Sequence, residues 1–387
     1  MTVRLVILAA ILVWLASAAS ADTARVVYIG VEGDPHYEPR PVYTGLSLKD
    51  RKRPLEGARL AFAGTRILER ATGVRFELQE LLLDDASRVP EAVRSALQAD
   101  ALAVLLDLPE EPMRAVLEQG GKGLLFNIRH IADRWRGPDC TAAMLHTQPS
   151  RSMLADALAQ HLRYRGWTKI LLLAGDSQED RDESEAVRRS AEKFGLQLVA
   201  ERKFALTNDP RRRDFSNMAL LTGPPEHDVI WLVDADGEFG RYVPHTTYYA
   251  RPVVGSEGLQ ATAWHWTWER HGAPQLNQRF RRLAGREMEP GDWAAWAAAR
   301  AVIEAVSQTR SVEPSAIADA VRADDFALDL YKGVRGSFRK WDGQLRQPIL
   351  LATHNAVIGL APLDGFEHRF HTLDSLGVDE PESRCTK

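Results

Sequence analysis

The feature that most constrains this chain is an alternation of short apolar strands and helices that runs once, stops, and restarts. Residues 25–31 are a β-branched run closing on Gly30 and a loop rich in Gly, Pro and Tyr. Residues 55–72 carry helical spacing through Leu60, Ile67 and Leu68, residues 76–83 predict a second strand, and 90–98 a helix with proline in its first turn. A third strand at 101–106 stops at Asp107, a helix follows at 113–119, and a fourth strand at 123–126 stops at Asn127. After Cys140 the pattern begins again: helix 152–164, strand 169–174, helix 184–194, then strands at 196–200, 228–233 and 252–255, the second ending at Asp234. Strands alternating with helices build a parallel sheet covered on both faces, so the class is α/β with two Rossmann-like lobes. A length of 387 residues is also too great for one ordinary core.

The first 21 residues follow a different rule. Arg4 supplies one positive charge, residues 5–16 form an apolar run shorter than a membrane span, and Ala19-Ser20-Ala21 is a small-x-small site before Asp22. This predicts a signal peptide over 1–21, cleaved near Ala21, and an exported protein. The two cysteines, Cys140 and Cys385, make neither a disulfide framework nor a metal cluster. In an oxidising compartment a lone pair tends to join, which would tie the C-terminal tail to the middle of the chain. At 45% hydrophobic and 26% charged the composition excludes a disordered chain, and Lys+Arg of 49 against Asp+Glu of 53 with no basic block excludes a nucleic-acid surface.

The chain contains no G-x-S-x-G elbow, P-loop, G-x-G-x-x-G turn or H-E-x-x-H helix. Its histidines are scattered, with His265/His271 and His368/His371 the nearest pairs, so neither an enzyme nor a metal site is expected. Ligands of such sheets sit beyond the carboxyl ends of the strands, which singles out residues 32–43, 107–109, 127–136, 176–181, 234–242 and 256–268. Within them Arg129, Arg134 and Arg136 offer planar cations for carboxylates, and Asn127, Asp107 and Asp234 end their strands. Trp264-His265-Trp266-Thr267-Trp268 places three tryptophans in five residues, a stacking surface if extended and two faces if helical. Trp293 and Trp296 open an Ala-rich helix at packing spacing, and Trp293 is kept among the ligand candidates.

Several segments carry a likeness beyond pattern. They are Arg53-Pro54-Leu55-Glu56-Gly57-Ala58-Arg59-Leu60, Leu125-Phe126-Asn127, Asp133-Arg134 with Arg136-Gly137 and Asp139-Cys140, His146-Thr147 with Pro149-Ser150-Arg151, and Gly237-Glu238-Phe239-Gly240. Later come Thr262-Ala263-Trp264-His265, the string 341–351, and Pro381-Glu382-Ser383 with Cys385. Through these the chain resembles the type I periplasmic solute-binding proteins of ABC transporters, and among them the subgroup that accompanies alcohol dehydrogenases dependent on pyrroloquinoline quinone (PQQ). The resemblance implies two lobes joined by a three-strand hinge, lobe 1 as 22–142 plus about 270–345 and lobe 2 as 143–269 plus about 346–387. It implies a periplasmic monomer without a required cofactor that captures PQQ, or a related planar polycarboxylate, for an ABC permease. Trp264 and one further tryptophan would supply ring faces, and Arg129, Arg134 or Arg136 the charge. The alternatives are another small solute, such as an amino acid or aromatic acid, or delivery of cofactor to a PQQ-dependent alcohol dehydrogenase. Trp266, Trp268 and Arg129 depart from the subgroup's pattern.

Overall fold

The computed structural model of the chain describes residues 22–119 and 123–385, so the predicted signal peptide lies outside the described residues. Lobe 1 begins with β1 (Thr23–Val31), α1 (Leu55–Ala63), α2 (Arg66–Thr72), β2 (Arg75–Leu83), α3 (Val89–Gln98), β3 (Ala103–Asp107), α4 (Glu110–Glu118), β4 (Leu125–Asn127) and β5 (Met144–His146). Its five strands are parallel in the order β2-β1-β3-β4-β5. The period of two along each strand divides the core: Val26, Tyr28, Leu105 and Phe126 face one layer of helices, whereas Val27, Ile29, Val104 and Leu125 face the other. The helix predicted over 55–72 is two helices, broken at Gly64 where the Thr65 hydroxyl donates back to the Phe62 carbonyl.

Lobe 2 repeats the scheme with α5 (Arg151–Tyr164), β6 (Lys169–Ala174), α6 (Gln178–Lys193), β7 (Gln197–Lys203), α7 (Met218–Leu221), β8 (Val229–Val233), α8 (Val243–Thr246) and β9 (Val253–Gly255), its parallel sheet ordered β7-β6-β8-β9. Helix α6 starts six residues before its predicted start, because Ser177 and Asp180 form a reciprocal capping box that sequence periodicity does not register.

The chain then returns through β10 (Gln260–Thr262) to lay α9 (Ala273–Ala284), α10 (Pro290–Thr309) and α11 (Pro314–Arg322) on lobe 1, followed by the short ribbon β11 (Leu328–Asp329) and β12 (Arg335–Gly336). Helix α10 presses its alanine-rich face on α1, and Gly57 is required there since any Cβ would collide with the Asp292 backbone. The hairpin β13 (Ile349–Thr353) and β14 (Ala356–Ala361) pairs with β10 and gives Ile349, Leu351 and Ala361 to the lobe 2 core.

Three crossings therefore join the lobes, after β5, around 262–264, and around 345–349. The first and third are laced together: His146 donates its N–H to the Gly343 carbonyl and accepts from Leu345, each at 2.9 Å, and the Gln347 amide reaches the Thr147 carbonyl at 2.8 Å. Lys332, 1% exposed, donates to Gln347 and the Pro348 carbonyl while its ammonium sits 3.6 Å from the Trp293 ring centroid. Burial pushes its pKa well below the usual lysine range. Since β5 pairs with β4, lobe 1 extends through His146 and not merely to residue 142. Cys140 and Cys385 form a disulfide, 245 residues apart in sequence, so the tail assigned to lobe 2 ends on a lobe 1 loop.

Candidate functional site

Strand β3 ends in a carboxylate with no exposure to solvent. Asp107 accepts hydrogen bonds from the hydroxyl of Tyr28 (2.6 Å), the hydroxyl of Tyr37, and the Arg53 guanidinium (2.9 Å), and Arg129 Nη1 lies 3.8 Å away. Each partner arrives for a local reason. Tyr28 comes from β1, alongside β3 in the sheet; Arg53 ends the β1–α1 loop and lies flat over Gly30, where any Cβ would strike its guanidinium. Arg129 follows β4 in a turn that Asn127 builds by accepting the N–H groups of residues 129 and 130. Arg53 donates a second bond to the Val31 carbonyl (2.6 Å), and Arg129 pairs with Asp34, 3% exposed.

The ring of Tyr37 lies within cation–π range of both cations, 4.6 Å from the Arg53 guanidinium carbon and 5.6 Å from that of Arg129. Burial, with the charge of Asp107 added, raises the Tyr37 pKa far above that of a free phenol, so the hydroxyl is a fixed donor. Burial also pushes the Asp34 carboxyl up, but its bonds to Arg129 and the His36 N–H outweigh that and leave it below the ordinary aspartate range. His36 is lowered to about 3, first by burial and then by Arg129 and Arg51, and His130 to about 4 for the same pair of reasons, burial and Arg129. Both are neutral at pH 7. A cavity of about 170 Å³ opens beside the cluster, lined by His36, Tyr37, Arg129, Lys52, Gln148 and Glu289 among others.

The opposite wall is acidic. Asp234 at the end of β8 accepts the N–H groups of Gly237 (2.9 Å) and Gly240 (2.6 Å), and burial holds its pKa above the usual aspartate value despite those bonds. The β1–α1 loop spans the gap: the Thr44 N–H donates to Glu238 at 3.0 Å, and the Lys49 ammonium donates to the Ala235 carbonyl.

Of the candidates named from sequence, Asp107 and Arg129 lie in this cluster, whereas Asp234 bonds its own loop in lobe 2 and feels only Lys49 from lobe 1. The others act elsewhere. Asn127 shapes the β4 turn and bonds His146. Arg136 is fully enclosed, donating to Gln344 and to the carbonyls of residues 130, 132 and 148, so it staples the hinge; burial brings its pKa down to about 10. Arg134 pairs with Glu110 and Asp139 on the outside of lobe 1 and covers Trp135. Trp264 and Trp293 are core residues, 1% and 0% exposed, stacked on each other at 6.1 Å, with the Trp264 indole N–H on Asn277. Their burial corrects the expectation of ring faces there: a turn splits the tryptophan cluster, turning Trp264 and Trp268 inward and leaving Trp266 42% exposed. His265 bonds Thr267 and stacks on Trp266.

Tyr28, Arg53 and Gln148 were not among the site candidates, and Asp34 and Tyr37 entered only within the range 32–43. For Asp34 and Tyr37 one signal was present, their position in the loop directly after β1; the others become visible only once the strands are ordered.

No family model matches the chain, and no curated relative matches it. Solved structures do. A branched-chain amino acid ABC transporter periplasmic ligand-binding protein from Burkholderia xenovorans superposes with a TM-score of 0.70 at 15% identity, covering 94% of this chain and 99% of the other. An ABC transporter solute-binding protein from R. palustris, in complex with benzoate, gives 0.62 at 11% over 94% and 100%. The branched-chain amino acid substrate-binding protein LivJ from Streptococcus pneumoniae, with isoleucine, gives 0.60 at 13% over 88% and 99%. The chain has the type I periplasmic binding protein fold. Among the described residues no helix is long and apolar enough to cross a membrane. None of the likenesses points to the PQQ-associated subgroup.

Proposed function

We propose that this chain is an exported solute-binding protein that captures a small anionic solute between its lobes and presents the closed form to an ABC-type permease. The observation that carries this reading is the pair Arg53 and Arg129, set at the carboxyl ends of lobe 1 strands, where the loop after β1 also reaches lobe 2 through Thr44 and Lys49. A guanidinium fork suits a carboxylate, and removal from water between two lobes strengthens the pair. Capture involves no bond chemistry: the solute enters an open cleft, meets the cations of lobe 1, and hinge closure brings the β8 loop across. The fold likenesses support the class, since the structures named above are solute-binding proteins of ABC transporters.

Within this reading PQQ or a related planar polycarboxylate is the particular ligand that the sequence resemblance suggests. Its carboxylates suit the arginines, and Trp264 and Trp293, enclosed in the core, cannot supply its ring faces. The test is calorimetric titration of the purified protein with PQQ, benzoate, 4-hydroxybenzoate, leucine and isoleucine. Saturable binding of one carboxylate per chain, lost in Arg129→Gln, is the expected result. Heat from none of them at millimolar concentration would overturn the reading.

A further inference from the structure

The cations and the carboxylate of the lobe 1 wall are engaged by one segment of the chain itself. Asp34 gives its carboxylate to Arg129, and Tyr37 places a flat ring within cation–π range of Arg53 and Arg129 while donating its hydroxyl to Asp107. Neither residue belongs to a strand or helix; both ride on the loop that follows β1. We propose that Asp34 and Tyr37 stand in for the solute, and that the solute which displaces them is an aromatic carboxylate bearing a ring hydroxyl or ring N–H. This rests on the solute-capture reading and adds the chemical class of the ligand and the way the empty site is held.

The chemistry follows from what each wall group needs when the loop leaves. Asp107 needs a donor, since losing one from a fully buried carboxylate is costly. Arg129 needs an anion, and the two guanidinium faces need a π surface. Asp34 and Tyr37 meet all three needs and so outline the solute as carboxylate, ring and donor. The adjoining cavity contributes a further polar wall. Gln148 lines it, 8% exposed, and its side-chain amide makes no hydrogen bond among the described residues. At about 170 Å³ that cavity is smaller than the ~300 Å³ at which small-molecule sites begin, and departure of the Tyr37 side chain from its wall enlarges it. The same loop holds lobe 2 through Thr44 and Lys49, so displacing Tyr37 pulls on the contact between lobes.

A built-in competitor lowers apparent affinity by the fraction of molecules it occupies, so weakening it must raise that affinity. The experiment is calorimetric titration of wild type, Tyr37→Phe and Asp34→Asn with 4-hydroxybenzoate, benzoate and PQQ, each variant checked by thermal melting. Tyr37→Phe keeps the ring and loses only the hydroxyl, so it serves even if Asp34→Asn does not fold. The expected result is about tenfold tighter binding of 4-hydroxybenzoate in both variants, and in wild type about tenfold preference for it over benzoate. Equal affinity in wild type and variants would overturn the stand-in and leave solute capture intact. Binding of leucine or isoleucine with no aromatic acid bound would overturn the ligand class alone. No binding of any of these solutes would remove the capture reading as well.

Discussion

The two lobes are built on the same topology and use the ends of their strands differently. On lobe 1 the strand ends carry side chains that bond one another, Asp107 with Tyr28, Tyr37 and Arg53, so recognition is written in side-chain chemistry. On lobe 2 the strand end carries Asp234, which spends its oxygens on the N–H groups of its own loop, while Glu238 holds the backbone of the spanning segment. On the capture role proposed above, selection falls to lobe 1 and clasping to lobe 2.

The largest expected effect concerns what joins the walls. Changing Cys140 and Cys385 to serine removes a cross-link worth about 5 kcal/mol in the chain-entropy model, and denaturant melts should then show lobes unfolding at separate midpoints. A single unshifted transition would mean that the hinge alone couples them. Next, Asp107→Asn should destabilise lobe 1 by about 3–4 kcal/mol, because Arg53 loses its buried counter-charge. Asp234→Asn should cost about 1 kcal/mol, since an amide oxygen still accepts one of the two loop N–H groups. Equal losses at the two positions, measured by urea titration, would erase the contrast between the walls.

The smallest effect is one of sign with pH. His36 and His130, held at about 3 and about 4 against about 6.5 unfolded, bind fewer protons folded than unfolded below neutrality. The stability they lend lobe 1 is present above pH 6.5 and is lost as pH falls towards those values. Burial raises Asp234 and Glu257 on lobe 2, so their contribution is full at low pH and is lost as pH rises through their raised pKa values. Amide exchange at pH 7 and pH 5, corrected for intrinsic rates, should show the loop after β4 losing protection and the loop after β8 keeping it. Parallel loss in both loops would show that these groups do not distinguish the walls.

The sheets were largely legible because buried parallel strands are continuous apolar runs with abrupt polar ends, and Asp107, Asn127 and Asp234 mark three of those ends. The β10–β13–β14 sheet escaped since β10 and β14 are half-exposed, with residue patterns shared by many loops, and the one buried strand, β13, has only five residues. The site was legible in position more than in identity. Arg129 and Arg136 stand seven residues apart in one loop, yet one faces the cleft and the other is enclosed among hinge carbonyls, a distinction that depends on the third crossing passing at Gln344. Three tryptophans in five residues suggested a ligand platform; the packing of α9 and α10 on lobe 1 requires two of them as core instead.

The bond between Cys140 and Cys385 also sets an order in time. Cys385 follows Cys140 by 245 residues, so a chain made from its N-terminus presents the second cysteine only after the segments of both lobes and all three crossings have been added. The last turn, Glu380–Glu382, then brings it home. The bond can therefore close only once the segments that build both lobes are present.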